Sequence, residues 1–114
     1  MKLPLADVAP VIRSKNAGPF HLTFDIMFAD PRVFRHLVDT GQISRERFAR
    51  SYGLRPDEVR WTVYEPALGV KATIRRSSAS GDPADGDVYG CQQHAPLLLW
   101  DVDLPGPLTT EAGR

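Results

Sequence analysis

The sequence predicts an α+β fold in which helices cover one face of an antiparallel sheet. From Phe20 to Phe28, apolar residues fall on every second position, so they lie on one side of a strand. Directly afterwards, Asp30 and Pro31 provide an N-cap and a first-turn proline, and the residues that follow have the spacing of one apolar helix face. A strand followed by an amphipathic helix indicates a layered domain.

The segment before this strand is more polar. Residues 5–12 are compatible with a short helix that has Asp7 as its N-cap, because Pro10 then falls in the first turn. Residues 13–19 contain glycine and polar side chains and are predicted to form a loop.

Two helices follow the strand and form one bent crossover. The first begins at Asp30 and is closed by Gly41. The second begins at Ser44 and ends at Tyr52-Gly53, with Ile43 placed to pack across its N-terminus.

The second half of the chain predicts a hairpin, a loop, a helix and a strand. Residues 59–64 and 68–74 alternate between apolar and polar positions around a Glu65-Pro66-Ala67 turn. Residues 77–87 are small and polar, which favours a surface loop, and residues 88–95 follow Asp87 as a short helix. Residues 98–104 alternate again as a last strand, and residues 105–114 are expected to be a disordered tail.

The resulting order is strand, helix pair, strand, strand, helix, strand. Two split βαβ units in this order predict a ferredoxin-like plait with four antiparallel strands, formed by residues 1–104 as a single domain. Its first and third strands are central. The predicted core comprises Phe20, Leu22, Phe24, Ile26, Phe28, Phe34, Leu37, Phe48, Trp61, Val63, Val70, Ile74, Trp100 and Val102.

Composition excludes several classes of function. Of the 114 residues, Lys and Arg contribute 14 and Asp and Glu 14, which argues against nucleic-acid binding through bulk charge. No apolar run is long enough to span a membrane. The single cysteine cannot form an internal disulfide, and the N-terminus lacks a signal-peptide pattern, so we expect a cytoplasmic protein.

Cationic residues are predicted to meet at one end of the sheet. In a plait, the loop of residues 13–19, the end of the third strand and the N-terminus of the last helix lie together, and such an end suits a carboxylate or a phosphate. The candidate ligand-binding residues are Arg13, Ser14, Lys15, Asn16, Gly18, Arg75, Arg76, Asp87 and Tyr89. In the alternative interpretation, the cations solvate loop ends and pair with Asp82, Asp85 and Asp87.

The open face of the sheet is the second candidate surface. It is expected to be polar and to serve as solvent surface or as a subunit interface, which makes a homodimer possible. Its predicted residues are His21, Thr23, Asp25, Thr62, Tyr64, Lys71 and Thr73.

Residues 89–94 concentrate hydrogen-bonding side chains, and Gln92, Gln93 and His94 are secondary ligand-binding candidates. His94 could act as a general base or only balance a helix C-terminus, and Cys91 could be a nucleophile or a small buried side chain. The His and Cys positions show no metal-ligand spacing, so no metal is expected. No phosphate-binding glycine motif occurs, so no cofactor is expected.

Three segments carry a family resemblance: LADVAPVIRSKNAGPFHLTFDIMF, YEPALGVKATIRR and GDVYGCQQHAPLL. They resemble a bacterial family of small proteins of unknown function, encoded beside or fused to proteins similar to acyclic terpene utilisation protein A. The family also resembles the ferredoxin-like C-terminal domain of those proteins, whose first loop has the pattern R-S-G-D-K-G. Arg13, Ser14 and Gly18 match that pattern, whereas Lys15 replaces its first glycine and Asn16 its aspartate.

The resemblance implies a large partner subunit, and three hypotheses follow. The chain is the small subunit of a heteromeric enzyme that acts on a carboxylic acid or its CoA thioester, with a large subunit like acyclic terpene utilisation protein A. Alternatively, it is a stand-alone module that binds a small anion, or a structural dimer without a ligand.

Overall fold

The computed structural model describes residues 1–75 and 95–106, and its centre is a four-stranded antiparallel sheet. In chain order, its strands are β2 (Val11–Asn16), β3 (His21–Met27), β4 (Arg60–Tyr64) and β5 (Gly69–Arg75). They lie in the order β2-β3-β5-β4, so β3 and β5 are central. A separate two-stranded sheet pairs β1 (Lys2–Pro4) with β6 (Asp101–Asp103).

The helices are α1 (Leu5–Val8), α2 (Pro31–Asp39) and α3 (Arg45–Ser51), and short 3₁₀ helices cover Pro56–Glu58, Glu65–Ala67 and Ala95–Leu99. The predicted N-caps of α2 and α3 are confirmed, because the Asp30 side chain accepts a hydrogen bond from the Arg32 backbone N–H and Ser44 accepts one from that of Arg47. No helix in residues 1–75 and 95–106 has the length and apolar character to cross a membrane.

The core lies between the helices and one face of the four-stranded sheet. Leu22, Phe24 and Ile26 are buried on that face, as the alternation predicted. The Phe24 ring lies 5.0 Å from that of Phe48 on α3, in an edge-to-face contact. The other predicted core residues found buried are Phe28, Phe34, Leu37, Phe48, Val70, Ile74, Trp100 and Val102.

Two core predictions are wrong and one is partly right. Phe20 is 49% exposed because it lies in the turn before β3. Val63 is 39% exposed because β4 is an edge strand, with a strand neighbour on one side only among the described residues. Trp61 is half-buried and packs against the core cluster.

The N-terminal segment also differs from the prediction. The helix ends at Val8, Asp7 lies inside it and is not its N-cap, and the predicted loop from residue 13 is largely the strand β2. This strand joins β3 in a hairpin, in which the backbone N–H of Ala17 donates to the carbonyl of His21 at 2.9 Å and Gly18 has φ +78°. Because the inward positions Ser14 and Asn16 are polar, the sequence of β2 lacks the apolar alternation of a half-buried strand.

The mixed α/β class and the antiparallel sheet are confirmed, whereas the ferredoxin-like plait is not. The edge position beside β3 is occupied by β2, which pairs with it over its whole length. Because β3 has only two edges and β5 takes the other, the last strand has no place there and pairs with β1 instead. The first two residues of the predicted last strand, Leu98 and Leu99, belong to the 3₁₀ helix Ala95–Leu99, and of the rest only Asp101–Asp103 forms a strand.

The predicted loop 77–87, most of the predicted helix 88–95 and residues 107–114 of the predicted tail lie outside the described residues.

Candidate functional site

The face of the four-stranded sheet opposite the core, here called the open face, is defined by the strand register. One row across it joins Arg13, Asp25, Lys71 and Thr62, and the next row joins Lys15, Thr23, Thr73 and Arg60. Directly paired residues in an antiparallel sheet point to the same side, so each row projects from one surface. The described part of the open face is completed by Val11, His21, Met27, Tyr64, Gly69 and Arg75.

The open face is basic although the chain has a formal net charge of +0. Its cations are Arg13, Lys15, Arg60, Lys71 and Arg75, all of them exposed. Asp25 is the acidic residue among the positions named above. Within the part of the chain that the structure describes, Arg13 forms an ion pair, and no ion pair of the other cations is found. Such a field of one sign attracts anions.

Arg13 and Asp25 form a cross-strand pair at the centre of this surface. The Arg13 Nε donates to Asp25 Oδ2 at 3.1 Å. The Asp25 side chain is 9% exposed and that of Arg13 is 56% exposed, so the carboxylate forms part of the floor and the guanidinium remains accessible. The carboxylate therefore orients Arg13 and neutralises part of its charge.

A cavity of about 370 Å³, here called the central cavity, lies over this pair. Arg13, Lys15 and Lys71 supply its cations. Its lining is completed by Asp25, Met27, Thr62, Tyr64, Ala67, Gly69 and Val70. The cavity thus combines a cationic side with an apolar side, the composition that suits an amphipathic anion.

Gly69 shapes the apolar side. A Cβ at this position would lie 3.2 Å from the Ile26 carbonyl oxygen and 3.2 Å from Met27 Cγ. The glycine therefore lets the Met27 side chain lie close to β5, and a larger residue would displace it.

A second cavity of about 550 Å³ lies at the His21 end of the face and is lined by Ala17, His21, Asp57, Glu58, Val59, Arg60, Thr73, Ile74 and Arg75. Its charges are mixed. Asp57 Oδ1 accepts a hydrogen bond from Arg55 Nε at 3.1 Å, and Glu58 Oε2 accepts one from the Arg55 backbone N–H at 2.7 Å. These carboxylates oppose an anion, so the central cavity is the better candidate site.

The structure separates the residues that were predicted to form one cationic end. Arg13 and Lys15 lie together, but Arg75 pairs with His21, four positions along β3 from Asp25. Four residues of a strand span about 13 Å, so Arg75 does not converge with Arg13 on one small group. The predicted convergence of these arginines is therefore wrong, because Arg13 belongs to a strand and not to an end loop.

Other predicted site residues are elsewhere. Ser14 and Asn16 point to the core side, since they pair with Phe24 and Leu22, and Gly18 forms the hairpin turn. Arg76, Asp87, Tyr89, Cys91, Gln92, Gln93 and His94 lie outside the described residues, as do Asp82 and Asp85.

Lys71, Met27 and Gly69 are site residues that sequence reasoning did not assign to a ligand. Lys71 was predicted to lie on the open face, and it pairs with Asp25. Arg13 joins them only because β2 pairs with β3, and the sequence pattern did not reveal β2 as a strand. Among the described residues, no group of three or more His, Cys, Asp or Glu side chains is arranged to hold a metal ion.

Comparison with known proteins gives one match. Residues 5–101 match the family described as a domain of unknown function, DUF4387. No curated protein and no solved structure gives a significant match. The matched range includes β2 to β5 and the helices α1, α2 and α3, and hence the described part of the open face. The chain therefore belongs to the DUF4387 family of domains of unknown function.

Proposed function

We propose that this chain is the small, anion-binding subunit of a heteromeric enzyme that acts on a carboxylic acid or its CoA thioester. The observation that carries the proposal is the group of exposed cations around the central cavity, of which only Arg13 has an ion pair among the described residues. Lys15 and Lys71, which have no ion pair within residues 1–75 and 95–106, lie beside an apolar wall and so provide the two contacts that a carboxylic acid with an apolar body needs.

The carboxylate of this ligand is proposed to bind between Lys15 and Lys71, next to the exposed part of Arg13. Lys15 and Lys71 lie in adjacent rows of the open face, on the two sides of β3. Lysine ammonium groups on flexible stems can both reach a small anion placed between them. Asp25 keeps the guanidinium in place, and Met27 and Tyr64 line the part of the cavity available to the apolar body.

The proposed role is binding and not bond cleavage. Asp25, the carboxylate of the central cavity, accepts a hydrogen bond from Arg13 and is largely buried, so it is poorly placed to reach a reacting atom. The chemistry is assigned to the large subunit, which the family resemblance suggests is a protein similar to acyclic terpene utilisation protein A. We place the assembly in the cytoplasm.

Titration of the isolated chain with hexanoate tests the ligand proposal. Hexanol, which has the same apolar body without the charge, is the matched ligand control. Replacing Lys15 and Lys71 with glutamine should weaken hexanoate binding roughly ten- to hundredfold for each lost charge-assisted bond. Lys2→Gln, on β1 outside the open face, should leave the affinity unchanged.

The outcomes are distinct. Equal binding of hexanoate and hexanol, or unchanged affinity in the double glutamine variant, would contradict the carboxylate site. Inorganic phosphate that competes more strongly than hexanoate would assign the site to a phosphate-bearing ligand instead.

The partner is tested separately by co-purification. The affinity-tagged chain, expressed in its own host, should recover the product of the neighbouring gene in a fixed ratio. Hexanoate binding without any recovered partner would favour the stand-alone anion-binding module. If the chain binds neither hexanoate nor phosphate and no partner is recovered, the result would favour a structural protein.

A further inference from the structure

We propose that two copies of this chain associate through the edge strand β4, so that their four-stranded sheets join into one continuous antiparallel sheet. Within residues 1–75 and 95–106, β4 pairs with β5 on one side and no strand pairs with it on the other. Its sequence, RWTVY, contains neither proline nor glycine, and the strand is regular over all 5 residues. A regular edge strand without these interruptions is a template for another strand.

The side chains of β4 are complementary to those of a second, antiparallel β4. When the two strands pair about Thr62, Arg60 of each copy lies opposite Tyr64 of the other, and Trp61 lies opposite Val63. On the open face, this register gives two contacts between a guanidinium and an aromatic ring. On the core side, it gives two contacts between an indole and a branched aliphatic side chain.

The exposure of these residues fits a surface that becomes covered. Tyr64 is 60% exposed and Val63 is 39% exposed, although each carries a large apolar side chain. A second β4 would cover the outer side of both side chains. It would also extend the apolar contact of Trp61, which already packs against Phe48 with the ring centroids 6.1 Å apart.

Charge argues against the other ways in which two copies could pair. Two open faces stacked on each other would bring together identical sets of cations. Pairing of two β2 strands about Ser14 would set Arg13 opposite Lys15 of the second copy, which is a like-charge contact at each end. Pairing of two β4 strands about Thr62 avoids such like-charge contacts, because Arg60 then faces Tyr64.

The dimer keeps both central cavities available. Antiparallel partners share a face, so the two open faces lie side by side on one surface of the enlarged sheet. The inference therefore does not depend on the proposed function, and each can fail without the other.

Reciprocal substitution at Arg60 and Tyr64 tests the register. The dissociation constant of the dimer is measured by sedimentation velocity over a range of concentrations. Tyr64→Lys places a cation opposite Arg60 at both contacts and should weaken the dimer about tenfold or more. Arg60→Glu combined with Tyr64→Lys restores opposite charges and should bring the dissociation constant back to within about threefold of the original.

Several results would overturn the proposal. A strictly monomeric chain at high concentration excludes the dimer, and a dimer with equal dissociation constants in all variants excludes this interface. If the double variant has a circular dichroism spectrum like that of the original chain but its dissociation constant does not recover, this register is excluded.

A cross-link provides a second test that does not rely on affinity. In a Cys91→Ser background, Thr62→Cys leaves one thiol per chain, and copper–phenanthroline is used as the oxidation catalyst in air. Paired residues of antiparallel strands have Cα atoms about 4.5–5.5 Å apart, within the range that a disulfide bridges. We expect a disulfide-linked dimer from Thr62→Cys and none from Thr23→Cys on the central strand β3; equal amounts from both would contradict the proposal.

Discussion

Arg13 on β2 and Asp25 on β3 form an ion pair whose two members differ sharply in exposure. The Arg13 Nε lies 3.1 Å from Asp25 Oδ2, and the side chains are 56% and 9% exposed respectively. A largely buried carboxylate has lost most of its water, so its stability depends on the donor that replaces that water. Arg13 thus has two roles: it partners the buried carboxylate across the β2–β3 hairpin, and it lines the central cavity.

The first prediction concerns this pair. Arg13→Ala removes the donor and leaves Asp25 without its partner, so the free energy of unfolding should fall by about 1–3 kcal/mol. Asp25→Asn in the same variant removes the buried charge and should recover part of the loss. Urea unfolding of the single and double variants measures both changes.

The matched control for this pair is Arg75→Ala. Arg75 is exposed on the same face and has no ion pair among the described residues, so its loss should change the free energy of unfolding by less than about 0.5 kcal/mol. An equal effect of the two alanine substitutions would mean that the Arg13–Asp25 contact adds nothing to stability.

A second prediction concerns the core. Phe24 is 1% exposed and its ring lies 5.0 Å from that of Phe48 and 5.1 Å from that of Tyr52. Phe24→Ala should therefore lower the free energy of unfolding by about 3–5 kcal/mol, through lost apolar contact and an unfilled cavity. Thermal unfolding should detect this easily, whereas Phe20→Ala, at a half-exposed turn position, should leave the melting temperature nearly unchanged.

The sequence pattern predicted those parts of the fold that depend on local signals. Phe24 was assigned to the core by alternation with Leu22 and Ile26, and α2 and α3 by the capping residues Asp30 and Ser44. These signals are reliable because capping and strand periodicity act within a few residues.

The strand β2 and the sheet order were not predictable in the same way. The inward positions of β2 include Ser14 and Asn16, so its alternation of polar with charged residues resembled a loop. A prediction without β2 leaves the position beside β3 open, and the last strand is then assigned to it. This assignment gives the ferredoxin-like plait. The candidate site differs from the predicted one for the same reason: as part of β2, Arg13 lies in the middle of the sheet and not at its end.

A third prediction concerns Arg47, which connects α3 with β6. Its Nη1 donates to the Gln42 carbonyl at 3.1 Å, its Nη2 to the Asp101 carbonyl at 2.8 Å, and its Cζ lies 4.4 Å from the centre of the Trp100 ring. Lysine cannot make both hydrogen bonds while stacking on the indole, so Arg47→Lys should cost about 1–2 kcal/mol.

Urea unfolding followed by circular dichroism measures the loss at Arg47. Arg50→Lys is the matched control, because Arg50 is an exposed arginine on the same helix. A similar effect from both substitutions would show that the contacts of Arg47 with Asp101 and Trp100 contribute nothing specific.

The fourth prediction concerns the pH dependence of the N-cap of α2. The hydrogen bond from the Arg32 side chain, together with that from the Arg32 backbone N–H, lowers the pKa of Asp30 below its ordinary value of 3.8. Because the folded-state pKa is the lower one, the charged cap contributes fully above the unfolded-state value of 3.8, and this contribution is lost as the pH falls through the folded-state pKa. The stability difference between the original chain and Asp30→Asn should therefore be constant above roughly pH 5 and shrink in acid. Carboxyl NMR titration should give an Asp30 midpoint below 3.8 that moves towards this value in Arg32→Ala; a midpoint at or above 3.8 in the unmodified chain would contradict the role of Arg32.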